Sequence, residues 1–508
     1  MKNVITKRQL LFVILVLLCG INPIYADTSK ELYVSDGNLS SLLPETERFK
    51  ITDLTLSGKL NIDDLEVIRQ MGRCLKSDGS RYDGHLRYLD LSNATFVGNG
   101  TLKIPNSNIT LQLNYGRGNH LFEDMESLHT IKLPDSMEEM GNFLFSGCDS
   151  LTSVTLPKYL KSGSFNFDDS ENLTSILIDD SNPYYSSDGS ALFDKYKTKM
   201  IFAVNSLREY AIPSSVSEIN KGAFNNCRRL KTLVLPLRLK REKVHASGFW
   251  DCDSLYSISV DEKNPYLCSD GSALYNKDKS ELVFVCHTVR KMSIPSSVTK
   301  IGDYAFCKCK NLTSIELPSG VTSLGYDAFI NCTNLSSLTL PSSVKEIGSS
   351  AFRGCESLTS ITLPSSVENV WYATFHGCKR LKSITLPSDL KQIEGDAFKG
   401  CNSLTSIYAF MKKPCEIQET TFDNETKINA TLYVPKGSLL NYWDDNQWKK
   451  FMNIEEFDAT SIGSLNTNAN DVQEVSRYSD NGQRLNTPAK GLNIVKYNDG
   501  TVKKIMVK

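Results

Sequence analysis

The residues that could do chemistry are few and poorly placed for it. Six histidines occur, at His85, His120, His129, His245, His287 and His376. None sits in a His-Glu-x-x-His arrangement, and neither a Gly-x-Ser-x-Gly elbow nor a Gly-rich phosphate loop is present. Cys286-His287 and His376-Gly-Cys378 bring a thiol and an imidazole close in sequence. Neighbouring residues on a strand point apart, and Cys378 falls in a repeated slot that faces inward, so a nucleophilic pair is not expected. Asp188-Gly189 and Asp270-Gly271 read as turns, because the further carboxylates that a calcium site needs are missing. No catalytic residue, metal site or cofactor is expected, and the chain reads as a non-enzyme.

The thiols are informative through their spacing. Of fourteen cysteines, eight share one slot: Cys148, Cys227, Cys252, Cys309, Cys332, Cys355, Cys378 and Cys401. Around it, Phe306, Cys309, Leu312, Ile315 and Leu317-Pro318 return 23 residues later as Phe329, Cys332, Leu335, Leu338 and Leu340-Pro341. The block recurs through Phe352, Phe375 and Phe398. Such a period marks a solenoid, in which each unit buries its apolar face against its neighbours. The expected fold is a repeat solenoid with a parallel β-sheet on one face and short turns on the other. Ser314-Ile-Glu-Leu317 alternates as a strand and Pro318 closes it. Asp303-Tyr-Ala-Phe306 is expected as one helical or 3₁₀ turn. About fifteen strands are expected, making a sheet on the order of 70 Å long.

Stacked parallel side chains do not lean together as a disulfide requires, so the eight slot cysteines read as buried fillers. One pair differs. Asn264–Tyr275 copies Asn182–Phe193 at a spacing of 82, and Cys268 and Cys286 stand where the first copy has Ser186 and Val204. Two thiols arriving together suggest a bridge, worth about 3 kcal/mol; two filler thiols is the other reading.

The 508 residues carry a net charge of −1, which favours neither nucleic acid nor an anionic membrane surface. Lys2, Lys7 and Arg8 precede an apolar run and Ala26 ends a cleavage-like site, so residues 1–26 read as an export signal. Leu18 stands before Cys19 where a lipoprotein signal wants a small residue. No later stretch is long enough to span a membrane. Residues 27–48 read as a polar lead-in and 49–121 as an irregular capping region. Repeats then run over 122–410, with β-hairpin inserts at 182–204 and 264–286. A C-terminal cap at 411–460, a linker at 461–473 and a small β unit at 474–508 complete the expected plan.

Alternation sends Ile315 and Leu317 inward, so Ser314 and Glu316, Ser337 and Thr339, Ser360 and Thr362, and Ser383 and Thr385 face out, followed by Tyr408. This strip of hydroxyls is the first candidate binding face; plain solvated strand positions are the alternative. Its scarcity of aromatics argues against sugar stacking there. Tyr304, Tyr326, Trp371 and Tyr372 are a second candidate, an aromatic patch on the outer turns, with packing against the neighbouring turn as the other reading. The run Arg238-Leu-Lys-Arg-Glu-Lys243 is a third, suited to an acidic partner, with a plain solvated loop as the other reading.

The units Ala-Phe-x-x-Cys-x-x-Leu-x-x-Ile-x-Leu-Pro resemble the BspA-like leucine-rich repeat proteins, over roughly residues 50–455. That resemblance implies a secreted or cell-surface protein of Bacteroides-type bacteria, associated with adhesion and with binding host extracellular proteins. The closing segment, from Asn481-Gly482-x-Arg484 to Lys503–Lys508, is similar to the C-terminal tails of exported Bacteroidetes proteins, which implies secretion or surface attachment. The resulting expectation is an extracellular binding protein whose partner is a protein, such as a host matrix or serum protein. A glycan-binding accessory protein of an uptake system and a structural surface spacer are the alternatives.

Overall fold

The computed structural model describes residues 28–458 except 77, 104–109, 115–116, 166 and 168–169, together with residues 474–479, 484–485, 491–497 and 502–507. The segments read as an export signal and a linker lie outside these residues, as does Asn481-Gly482 of the closing segment. The chain is a parallel β-solenoid of about 18 turns, with repeats about 23 residues apart. It divides into two compact units between Leu207 and Arg208.

In the first unit one parallel sheet runs through Ser29–Ser35, Asp53–Leu60, Tyr88–Asp90, Thr130–Lys132, Ser153–Thr155 and Ser175–Leu177. Its register stacks the inward residues Leu54, Leu89, Ile131, Val154 and Ile176. The stretch read as a polar lead-in is the first coil of this stack, because Ser29–Ser35 pairs along its whole length with Asp53–Lys59. Lys30-Glu31-Leu32-Tyr33 lacks the leucine spacing of the later strands, and its neighbour supplies the pairing that its own pattern does not advertise. The helix Ile62–Met71 is opened by Asn61, whose side chain accepts from the Asp63 and Asp64 amides in a capping box with Asp64. Arg69 on this helix is buried and its Nη1 donates to the carbonyls of His120 and Glu123, at 3.1 and 2.7 Å.

In the second unit each regular coil carries two strands where the sequence pattern suggests one. The longer series is Ser314–Glu316, Ser337–Thr339, Ser360–Thr362, Ser383–Leu386 and Ser406–Ala409. The shorter is Lys300–Ile301, Ser323–Leu324, Glu346–Ile347, Asn369–Val370, Gln392–Ile393 and Glu416–Ile417. Val321-x-x-Leu324 and Val344-x-x-Ile347 carry that second signal, but two residues are too few to show alternation. The turn after the short strand is not helical. Tyr304, Asp327, Ser350, Ala373 and Asp396 all take positive φ of 52–58°. The amides of Phe306, Phe329, Phe352 and Phe375 donate to Ala328, Ala351, Thr374 and Ala397 of the following coil at 2.7–2.9 Å. Alternate amides close single turns within a coil, as from Ala305 to Gly302 O and Cys307 to Tyr304 O at 3.2 and 2.9 Å, while the phenylalanine amides bond the following coil. The regular coils therefore form no continuous 3₁₀ run; the irregular coil has one at Ala246–Phe249.

The interior is a stack of phenylalanines and thiols. Phe306, Phe329, Phe352, Phe375, Phe398 and Phe422 lie near parallel, with successive ring centroids 4.6–5.5 Å apart. The slot thiols donate backwards, from Cys332, Cys355, Cys378 and Cys401 to the carbonyls of Phe306, Phe329, Phe352 and Phe375 at 3.0–3.2 Å. Ser170 makes the same bond to Phe145 at 2.7 Å, so the slot selects a small buried donor rather than sulfur as such.

Each insert is a three-stranded antiparallel meander, one strand more than a hairpin: Tyr185–Ser187, Ala191–Asp194 and Lys199–Ala203, and the copy Leu267–Ser269, Ala273–Asn276 and Glu281–Val285. Asp188 and Asp270 are turn residues, their Oδ1 atoms accepting from Ser190 and Ala191, and from Ser272 and Ala273, at 2.8–2.9 Å. Cys268 and Cys286 are both free thiols. Cys268 pairs across one edge of the middle strand with Tyr275, while the Cys286 amide bonds Ser272 beyond the other edge. Two strand spacings, about 9.5 Å, exceed what a disulfide can bridge.

At the C-terminal end, Tyr442 Oη donates to Met411 O and Trp448 Nε1 to Cys415 O, both at 2.8 Å, with Phe451 packed on Phe422 and Trp448. These aromatics cover the last coil. Four further strands form an antiparallel sheet in which Glu474–Ser479 lies between Arg484–Leu485 and Gly491–Tyr497, and Val502–Val507 pairs with the other edge of Gly491–Tyr497.

Candidate functional site

Strand alternation delivers the hydroxyl strip. Ile315, Leu338, Ile361 and Ile384 are buried, while Ser314, Glu316, Ser337, Thr339, Ser360 and Thr362 are exposed and Ser383, Thr385 and Tyr408 half-exposed. Register places Ser314 beside Ser337 and Glu316 beside Thr339. Ser360, Ser383 and Ser406 form one row, and Thr362, Thr385, Tyr408 and Tyr433 the next. The structure therefore brings these residues onto a common kind of face. That face ends in aromatics, which composition along the strands understates. Tyr408 and Tyr433 stack at 4.7 Å with 10° between planes, and Phe457 meets Tyr408 and Phe410 edge-on at 6.1 and 5.1 Å. Tyr433 and Phe457 lie in the strands Thr431–Pro435 and Asn453–Phe457, whose irregular spacing hid them from the repeat pattern.

The outer aromatics separate into two places. Tyr304 meets Tyr326 at 5.4 Å and Trp250 at 6.0 Å, and Lys308 Nζ sits 4.5 Å over the Trp250 ring. Among the described residues no ring contact joins Trp371 or Tyr372 to this group. Tyr372 instead donates its amide to Glu394 at 2.8 Å and its hydroxyl to Asp396 at 3.4 Å. Trp371 occupies the slot that holds Gly302, Gly325 and Gly348 in earlier coils, so the four rings were never one column. Trp250 was missed because it lies in an irregular unit. Half of the basic run is spent internally: Arg241 makes a two-pronged contact with Glu281 at 2.8 and 2.9 Å, and Lys243 meets Glu218 at 3.0 Å.

The thiol–imidazole neighbours are tuned against nucleophilic chemistry. Burial pushes the Cys286 thiol up to about 12, and burial pushes His287 down to about 4. An activated pair needs a stabilised thiolate beside a protonated imidazole, the reverse of both shifts. Burial likewise raises Cys378 well above the ordinary thiol range and lowers His376. His287 is 2% exposed, neither ring nitrogen has a hydrogen-bond partner, and Asp253 lies 3.9 Å from Nδ1. Among the described residues no cluster of three metal-ligating side chains occurs, and no helix is long and apolar enough to cross a membrane.

Two strands per turn, a leucine-lined interior and a solvent-facing row of small polar residues define a leucine-rich repeat solenoid. Residues 100–197, 198–270, 277–405 and 345–472 match the family described as BspA type leucine rich repeat region, and the chain belongs to that family. Among solved structures it is similar to a leucine-rich repeat protein from Eubacterium ventriosum, at 21% identity over 65% of this chain and 89% of that one, with a TM-score of 0.45. It is also similar to a leucine rich cell surface protein from Faecalibacterium prausnitzii, at 21% identity over 66% and 92%, with a TM-score of 0.42. A leucine-rich repeat protein from Bacteroides ovatus is 22% identical over 72% and 94%, with a TM-score of 0.27. No curated protein matches significantly. Membership of this leucine-rich repeat family makes the chain a protein-interaction repeat protein.

Proposed function

We propose that the chain is a non-enzymatic adhesion protein acting outside the cytoplasm, secreted or held at the cell surface, whose sheet face engages an extracellular protein, such as a host matrix or serum component. The observation that carries this reading is the series of outward-facing strand residues from Ser314 to Tyr408, exposed or half-exposed, nearly free of charge and backed by a buried apolar interior. Rigid, repeated small side chains let a partner's surface lie close without a large entropic cost, and a few aromatic anchors such as Tyr408 and Tyr433 can dominate the affinity. Residues 1–26 serve as the export signal in this reading, and the final sheet as a sorting or attachment tail. The test is capture of matrix and serum proteins on the full chain, compared with a Thr339→Lys/Thr362→Lys variant. A partner retained by the first and lost by the second supports the reading; no partner on the full chain refutes it.

The Tyr408–Tyr433–Phe457 group favours one second reading, a glycan held against these rings. A glycan array decides it: a sugar signal abolished by Tyr408→Ala would establish that role.

A further inference from the structure

The hydroxyl strip is interrupted within the second unit, and the interruption is apolar. In regular coils the outward third strand position holds Thr339, Thr362 and Thr385, and the residue after the strand-ending proline is Ser342, Ser365 or Ser388. The coil of Thr232–Leu235 has Val234 and Leu237 in those two slots. Val234 is 42% exposed while Leu233 and Leu235 are buried, so it faces out. Register sets it between Ala211 and Ser259. Next to it a cleft of about 430 Å³ opens, walled by Ile212, Pro236, Leu237 and Val260 and bounded by Asp261–Lys263.

Charge differs at the two ends of this short sheet. Arg208 and Lys231 begin adjacent strands, the Lys231 amide donating to Arg208 O at 2.7 Å, and Arg229 lies two residues before Lys231. All three are exposed and none forms an ion pair among the described residues. With the adjacent Glu209, three cations and one anion leave +2 at this end. At the cleft, Asp261, Glu262 and Lys263 are exposed and sum to −1. Three strand residues, about 10 Å, separate Lys231 from Val234.

We propose that this sheet binds an extended segment of a partner protein that places an acidic residue at Arg208 and Lys231. An apolar residue three positions along enters the cleft against Val234 and Leu237, and a basic residue beyond it faces Asp261 and Glu262. An extended peptide rises as the strands do, so the residue three positions past the acidic one lies about 10 Å on, at the cleft. The charged ends fix direction and the apolar pocket supplies most of the affinity. The site rests on the protein-binding reading above and gives it an address.

Phage-displayed random heptapeptides are selected on the immobilised full chain and on a Val234→Thr/Leu237→Ser variant. The variant carries the residues that regular coils already accommodate in these slots, so its fold is retained. The expected consensus is acidic–x–x–apolar–x–basic, enriched at least about tenfold on the unaltered chain and lost on the variant. An Arg208→Glu/Lys231→Glu chain should lose the acidic position and keep the apolar one. No consensus, the same consensus on both chains, or uniformly acidic peptides on both would overturn the site. Such a result leaves the broader binding role to the protein-capture experiment, which fails separately.

Discussion

Asn264 offers the sharpest check on how the inserts are held to the stack. Its side chain is fully buried and makes four hydrogen bonds: Nδ2 donates to Pro236 O and Leu239 O at 2.9 and 3.0 Å, and Oδ1 accepts from the Tyr266 and Leu267 amides at 2.8 and 2.9 Å. Asn264→Ala leaves Leu239 O and two amides without partners, at about 1 kcal/mol each or about 3 in all, while Pro236 O keeps the Leu239 amide at 3.3 Å. Asn264→Asp keeps the shape and both accepted bonds. When ionised, its second oxygen faces two carbonyl oxygens, a buried charge costing at least about 3 kcal/mol. When protonated, its single hydroxyl serves one carbonyl and the loss falls to about 1 kcal/mol. Burial against carbonyls raises this carboxyl's pKa in the folded chain, so stability is lost as pH rises from the ordinary carboxylate value through the folded one. Urea unfolding of parent and variant followed by circular dichroism, at about pH 3.5 and about pH 8, gives the two losses, and amide exchange over residues 264–286 localises them. An Asn264→Asp chain as stable as the parent at the higher pH, or one more damaged at the lower, would refute the clamp.

Three further outcomes are expected. His287 is neutral in the folded chain and its pKa falls from 6.5 to about 4, so protonation of the unfolded chain costs up to about 3 kcal/mol as pH drops through that window and nothing above it; the difference in unfolding midpoint between the parent and His287→Phe, followed against pH, should show that slope and would disprove it by staying flat. Phe352 stacks on Phe329 and Phe375 at 5.5 and 5.4 Å, so Phe352→Ala should cost about 3–5 kcal/mol by denaturant titration; a loss under about 1 kcal/mol would place the ring outside the core. Cys268 is the partly exposed thiol among the thirteen described, the other twelve being buried. Native maleimide labelling read by peptide mass should therefore modify Cys268 first, and both Cys268 and Cys286 after denaturation without reductant; a Cys268–Cys286 cross-linked peptide would contradict the register.

The repeat period was enough to place the interior. Phe352, Cys355, Leu358 and Ile361 face inward because translational stacking forces equivalent residues into equivalent environments, so one apolar pattern read many times gains the certainty that a single strand lacks. The same logic sent Ser360 and Thr362 outward. Segments without a repeated pattern were not legible: Ser29–Ser35 as a strand, Trp250 beside Tyr304, and Tyr433 beneath Tyr408 each depend on a partner distant in sequence.

Sequence alone, then, determined the coil period, the inward face and the membership of the repeat family, since these follow from side-chain spacing along the chain. Tertiary structure decided how neighbouring coils bond to one another. It gave the outer turns of the regular coils left-handed residues in place of a continuous helical run, turned Cys332, Cys355, Cys378 and Cys401 toward phenylalanine carbonyls of the preceding coil, and set Cys268 and Cys286 two strands apart. The reason is that backbone donors and acceptors carry no sequence label: which coil satisfies them is settled only when the coils are stacked.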